Sequence, residues 1–223
     1  MPLKLKPLPS PTPSQYTSLA QIRWAAFSDN PLNQILYPSS TAAEVIPWLI
    51  RREQRVVENP NQILLVVEDT TSADILAYAK WELPRDEKEQ EGEREERDIP
   101  TSATIPAAPE VIQMDLWNEF REKMGVMKKK YSDPRQCKLH TLVTDPRHTG
   151  RGCASMLLKW GIEKVDNLNA QIYLEATPAA YPMYRKYGWE EVDRFMLDLG
   201  KYGGEGLHPV PAMIREPRKG EGR

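Results

Sequence analysis

Between Leu139 and Leu158 the chain reads LHTLVTDPRHTGRGCASMLL. A β-rich run gives way to a proline-marked turn, a loop of small residues and a helical pattern, so strand, loop and helix follow one another here. The loop, Thr149-Gly150-Arg151-Gly152-Cys153-Ala154, falls where the helix begins. A helix start holds unpaired N–H groups and the positive end of a dipole, which suits a pyrophosphate. Glycines at 150 and 152 admit unusual dihedrals and let a ligand lie close to the main chain. The loop lacks the Gly-Lys-Ser/Thr ending of a phosphate-loop NTPase. It also lacks the third spaced glycine of a dinucleotide site.

The rest of the chain supplies elements around this unit. Leu3 to Leu8 alternates and reads as a short edge strand. Ser14 is read as the cap of a helix through Phe27, and Pro31 as the start of a short helix to Tyr37. Thr41-Ala-Ala-Glu44 is a capping box for a helix to about Asn59, with Pro47 inside it. Gln62 to Asp69 and Ile75 to Leu83 read as a hairpin. Val111 to Tyr131 has helical spacing. Cys137 to Thr144 is the strand before the loop, and Ser155 to about Asn167 the helix after it. Gln171 to Glu175 is expected to lie parallel to that strand, because a helix crosses between them. A short helix spans Pro178 to Tyr187, and Trp189 to Leu199 is a strand. Ala212 to Arg215 is read as a last strand that Pro209 and Pro211 confine to an edge.

Composition narrows the function classes. The 223 residues suffice for one domain, and a formal net charge of −2 argues against general nucleic-acid or membrane binding. The two cysteines, Cys137 and Cys153, form neither a disulfide framework nor a metal pattern. No apolar run is long enough to span a bilayer, so a cytoplasmic, and also nuclear, location is expected. Residues 84–110 are charged and then Pro-rich, and read as a disordered insertion; the tail 216–223 reads as flexible.

The loop resembles the acetyl-CoA loop of the GNAT (Gcn5-related N-acetyltransferase) family, Gln/Arg-x-x-Gly-x-Gly/Ala. The matching frame is Thr149-x-x-Gly152-x-Ala154, which departs from the pattern at its first position. A second frame, Arg147-x-x-Gly150-x-Gly152, also matches; the first sets the helix correctly after the loop. The segments AAFSDNPL, AYAKW, TDP…RGCASMLLKWG, YLEATPAAYPMYRKYGW and MIREP resemble a fungal-type branch of the family. The resemblance implies one α/β domain over residues 1–223. Its sheet is expected to be mixed but mostly antiparallel, flanked by helices, with a splayed parallel strand pair at the cofactor site. It further implies that acetyl-CoA, without a metal, delivers an acetyl group directly to a primary amine in a ternary complex. The acceptor is expected to be a small molecule. The alternatives are a protein N-terminus or lysine, or a non-catalytic acyl-CoA-binding module.

Residue roles follow the same resemblance. Tyr184-x-x-x-Gly188-Trp189 is similar to the family's Tyr-x-x-x-Gly-Phe, which makes Tyr184 the acid near the cofactor sulfur, with Tyr181 and Tyr187 as substitutes. His140 falls where arylalkylamine acetyltransferases carry a histidine, whereas the glutamate of histone-type enzymes is replaced here by Lys138. Glu175 is the rival base or an anchor for a substrate ammonium. The main chain of Leu142, Val143 and Thr144 is expected to pair with pantetheine. Thr149 and the N–H groups of Gly150, Arg151, Gly152, Cys153, Ala154 and Ser155 are expected at the pyrophosphate, and Arg151 or Arg185 at its oxygens. Strand alternation alone places His140, Leu142 and Thr144 on one face. The acceptor site is expected near Ser28–Leu36, Trp81 and Trp117.

Overall fold

The computed structural model describes residues 2–38, 41–57, 61–84 and 112–218. The expected insertion, apart from Pro84, and the last five residues of the tail lie outside the described residues. Among those described, seven strands form one sheet: β1 (Leu3–Pro7), β2 (Gln62–Asp69), β3 (Ile75–Glu82), β4 (Cys137–Thr144), β5 (Ile172–Glu175), β6 (Glu190–Asp198) and β7 (Leu207–Arg215). Their order is β1-β2-β3-β4-β5-β7-β6, and every neighbouring pair is antiparallel except β4 and β5. The helices are α1 (Pro13–Phe27), α2 (Pro31–Leu36), α3 (Ala42–Val57), α4 (Met114–Tyr131), α5 (Cys153–Asn167) and α6 (Tyr181–Lys186). This is the mixed, mostly antiparallel α/β sheet expected from the sequence.

Local chemistry fixes the element ends. The cap of α1 is Thr12 rather than Ser14. Thr12 Oγ1 accepts from the Gln15 N–H at 3.3 Å, and Gln15 Oε1 accepts from the Thr12 N–H at 2.9 Å. Pro13 then occupies the first helical position, where its fixed φ is pre-set and its missing N–H costs nothing. At α3 the Glu44 carboxylate accepts from the Thr41 N–H at 2.7 Å, one half of the expected capping box; the Thr41 hydroxyl donates to the same carboxylate at 2.9 Å, and the Glu44 N–H goes to the Thr41 carbonyl.

β3 is buried along its whole length and divides the core. Ala77, Ala79 and Trp81 pack with Leu139, Cys153, Leu157, Leu158 and Tyr184, which seats α5 and α6 on one face. Tyr78 packs with Leu19, Ile22 and Val143, which seats α1 on the other. A third cluster, including Ala20, Trp48, Leu49, Leu116, Trp117 and Leu197, ties α1, α3 and α4 to β6. Gly161 lets α5 come close to the sheet: a Cβ at that position would overlap the Trp81 ring.

The last strand corrects an expectation. β7 is longer than Ala212 to Arg215 and lies between β5 and β6, not at an edge. Its prolines are tolerated because only Ala212–Arg215 pair with β5, while Leu207–Pro211 have β6 alone as a neighbour. The Pro211 carbonyl points to the β5 side, where it accepts from the Ala176 N–H just past the end of β5. The missing Pro211 N–H therefore faces a position with no ladder to complete.

Candidate active site

The parallel pair β4–β5 is joined only at Cys137↔Ile172 and Lys138↔Tyr173. Beyond Lys138, β4 continues to Thr144 with β3 as its one strand neighbour. The side of β4 that faced β5 is thus left without a ladder from Leu139 onward. His140 shows the result. The residue as a whole is exposed, yet only 26% of its side chain is, so its main chain is open at the splay. Leu142, Val143 and Thr144 lie on this opened strand.

The loop after β4 reaches α5 through Gly150 (φ +75°) and Gly152 (φ +82°), the left-handed region that favours glycine. Open space borders both residues. Gly152 is the N-cap of α5, and no side chain caps the helix. The first turn of α5, Cys153, Ala154 and Ser155, therefore presents its N–H groups uncovered. Unpaired backbone on β4, room beside two glycines and an uncapped helix start together fit an extended thioester cofactor ending in a pyrophosphate. The neighbouring side chains are partly engaged: Arg151 reaches Asp69 at 3.4 Å and His148 Nδ1 at 3.3 Å. Thr149 Oγ1 donates to the Pro146 carbonyl, and Arg185 to the Trp189 carbonyl.

On the α1 side of the splay lies a cavity of about 660 Å³. Among its lining residues are Trp24, Tyr37, Trp117 and Phe120, with His140, Thr141 and Glu175 where β4 and β5 part. Ser28, Asn30, Leu32 and Leu36 also line it, as expected of the Ser28–Leu36 stretch. Of the two tryptophans expected there, Trp117 lines this cavity and Trp81 does not. Trp81 is fully buried in the core beneath α5, because β3 alternation turns it away from the α1 face.

A bulge corrects the alternation of β4. Lys80 pairs with Thr141 but Trp81 with Leu139, so His140 is the extra residue. His140 and Thr141 consequently both line the cavity, while Leu142 packs with Trp81 and Leu139 in the opposite core. His140 Nε2 donates to Glu82 Oε2 at 2.8 Å, and Lys138 Nζ donates to Glu82 Oε1 at 3.0 Å. Burial pushes the Glu82 carboxyl up, but the His140 hydrogen bond and charge, with Lys138, outweigh it and hold the group down at about 2. When the ring carries one proton, an ionised Glu82 accepts it from Nε2, and the free lone pair is on Nδ1. Glu175 accepts a hydrogen bond from the Tyr173 hydroxyl at 2.8 Å.

Tyr184 is buried in the core cluster that also contains Cys153, and its ring meets Trp189 edge-on at 5.6 Å. Burial raises its phenol above the ordinary range. Among the described residues its hydroxyl has no hydrogen-bond partner. It does not line the cavity with His140 and Glu175; those two share one wall, and Tyr184 stands with the α5–α6 core.

Sequence reasoning missed the charges behind this wall. Glu53 and Lys80 form a buried pair, the half-buried Arg23 lies 3.9 Å from Glu53, and the Tyr78 hydroxyl donates to Glu53 at 3.4 Å. Burial would raise Glu53, yet Lys80 and Arg23 hold it below the usual carboxylate range. Burial also draws Lys80 down to about 8, against the pull of Glu53. His208, buried on β7, lines the cavity too, and burial lowers its pKa. Among the described residues there is no cluster of His, Cys, Asp or Glu able to hold a metal ion, and no helix long and apolar enough to cross a membrane.

A splayed parallel pair, a glycine loop at a helix start and a cavity at the fork make up one architecture. The family model of the acetyltransferase (GNAT) domain matches residues 119–198, from within α4 to the end of β6. The chain has the GNAT fold. A solved structure of arylalkylamine N-acetyltransferase 2 from Aedes aegypti superposes with a TM-score of 0.62 at 13% identity, covering 97% of this chain and 99% of that one. A structure titled histone acetyltransferase HPA2 and related acetyltransferase, from Corynebacterium glutamicum, gives a TM-score of 0.58 at 20% identity and covers 98% of each chain. The ribosomal-protein-S18-alanine N-acetyltransferase of Escherichia coli gives 0.55 at 11% identity, covering 100% of this chain and 99% of that one. These structures carry different acceptors in their names, so the likeness speaks to the fold and not to a substrate. A search of curated protein sequences found no significant match.

Proposed function

We propose that the protein is an acetyl-CoA-dependent N-acetyltransferase that acts on a small primary amine by direct transfer in a ternary complex. The observation that carries this reading is the fork between β4 and β5, with the uncapped start of α5 on one side and an aromatic cavity on the other. Bound acetyl-CoA would supply the acetyl group as an activated thioester. The N–H groups of Gly150–Ser155 and the opened β4 backbone would hold it. His140, oriented by Glu82, takes the proton from the acceptor ammonium at Nδ1, and Glu175 anchors the ammonium end. The Tyr184 hydroxyl, without a hydrogen-bond partner among the described residues, gives a proton to the departing thiolate.

Direct transfer is favoured because neither thiol is suited to carry the acyl group. Cys137 is buried and burial pushes its thiol up to about 12; Cys153 is buried and raised by the same cause. A cavity of about 660 Å³ lined by aromatic rings is of small-molecule size, which favours a small amine over a protein lysine. We read the chain as a fungal-type member on the segments AAFSDNPL and YLEATPAAYPMYRKYGW. Thiol release from acetyl-CoA, measured over a panel of small amines and basic peptides, tests this function. Release with small amines supports it. Release with peptides alone, or acetyl-CoA binding without any release, contradicts it.

A further inference from the structure

Arg52, half-buried, differs from the cations around Glu53. Its neighbour Glu53 is already committed to Lys80, Arg23 and the Tyr78 hydroxyl. The Arg52 guanidinium lies over the rings of Trp48, at 4.7 Å, and Trp117, at 5.2 Å. Among the described residues it makes no hydrogen bond or ion pair. The two indole rings stand at 73° to each other, so the cation is held in the corner between them, with its N–H donors uncommitted. Those donors belong to a residue lining the cavity.

The cavity as a whole is electropositive. Arg23, Arg52, Lys80 and Lys128 line it, against the carboxylates of Glu53 and Glu175. This excess is not a seat for the cofactor's phosphates, because no residue of the loop 149–155 lines the cavity. A cavity built only for a simple amine would gain nothing from it, since an ammonium is repelled by unpaired cations. The wall therefore has two chemical ends. His140 and Glu175, at the strand fork, suit an amine. Arg52, held against two tryptophans with its N–H donors uncommitted, suits a planar anion. Trp24, Tyr37 and Phe120 add apolar surface to the same wall.

We propose that the acceptor is an amino carboxylate with an apolar body, its carboxylate taken by the Arg52 guanidinium and its amine turned to His140 and Glu175. A carboxylate matches the two parallel N–H groups of a guanidinium edge in a way that a point charge does not. The inference rests on the acetyl-transfer reading above, and its test separates the two.

The test is titration calorimetry on the full chain saturated with CoA. The probes are matched pairs: N-acetyl leucine, methionine, phenylalanine and tryptophan, each against the N-acetyl amine that lacks the carboxylate. We expect at least one pair in which the carboxylate member binds tenfold tighter or more. We expect Arg52→Met to narrow that gap below threefold, and Arg52→Lys to leave an intermediate gap. The comparison within the wild type does not depend on either variant folding. No gain from the carboxylate in any pair overturns the inference, as does a gain that survives Arg52→Met. A phosphonate analogue that binds tighter than the carboxylate overturns it too. Thiol release with the decarboxylated amines but not the amino acids would overturn it while leaving acetyl transfer standing. Failure to bind CoA would sink both.

Discussion

His140 Nε2 lies 2.8 Å from Glu82 Oε2, at a bulge that places this histidine on the cavity wall. A carboxylate that holds one ring nitrogen leaves the other to take a proton. We expect His140→Ala to lower kcat/KM by about 10²-fold or more and to remove the limb of the pH profile that a histidine base produces. Glu82→Gln keeps the contact but loses the charge, and we expect a loss of about tenfold. Steady-state kinetics from pH 5 to 9 checks both. An unchanged profile in His140→Ala would pass the role of base to Glu175, His208 or water.

Glu82 also links stability to pH. Its folded-state pKa is about 2, below its ordinary value of 4.5. A depressed carboxyl contributes stability above its unfolded value and loses it as pH falls through the folded one. The contribution, on the order of 3 kcal/mol, is thus present at neutral pH and disappears between about pH 4.5 and 2. We expect Glu82→Gln to be less stable than the wild type at pH 7, with the difference shrinking toward pH 2. Urea unfolding at a series of pH values measures it. A difference that stays constant with pH would contradict the link.

Much of the fold was legible because period and punctuation agree. QILLVVED and CKLHTLVT fill the strands Gln62–Asp69 and Cys137–Thr144 end to end. The parallel relation of β4 to β5 followed from the helix between them. The place of β7 was not legible, since Pro209 and Pro211 argue locally for an edge and only the shortness of β5 makes them harmless. The bulge at His140 leaves no mark in an alternating strand. The charged group did leave one. Val45, Trp48 and Leu49 are buried on α3 at helical spacing, and Arg52 and Glu53 continue the same stripe where an apolar residue is expected. Lys80 likewise interrupts the buried strand AYAKW. Charges in apolar registers are costly unless paired, so these positions pointed to a built polar site.

Gly161 faces the Trp81 ring with no room for a Cβ. Both lie in the buried core, so neither side can yield into solvent. We expect Gly161→Ala to cost about 1–3 kcal/mol and to lower Tm by about 2–12 °C. Differential scanning calorimetry checks this. An unchanged Tm would mean that α5 shifts freely on the sheet.

Tyr184 presents the opposite combination. Its ring is packed against Trp189, but its hydroxyl has no protein partner among the described residues. Tyr184→Phe should leave Tm within a degree or so and lower kcat about tenfold or more at saturating acetyl-CoA. Unchanged turnover would end its assignment as the acid.

The start of α5 bears most directly on what the molecule binds. Gly152 sits at φ +82° with open space beside it and caps a helix that no side chain caps. A tryptophan there would strain the backbone and fill the space in front of the free N–H groups. Titration calorimetry of acetyl-CoA into the wild type and Gly152→Trp, with melting curves to confirm that both are folded, measures this. We expect binding by the wild type and a loss of at least a hundredfold in the folded variant. Equal binding by the two proteins, or none by the wild type, would contradict the assignment of this loop to the cofactor.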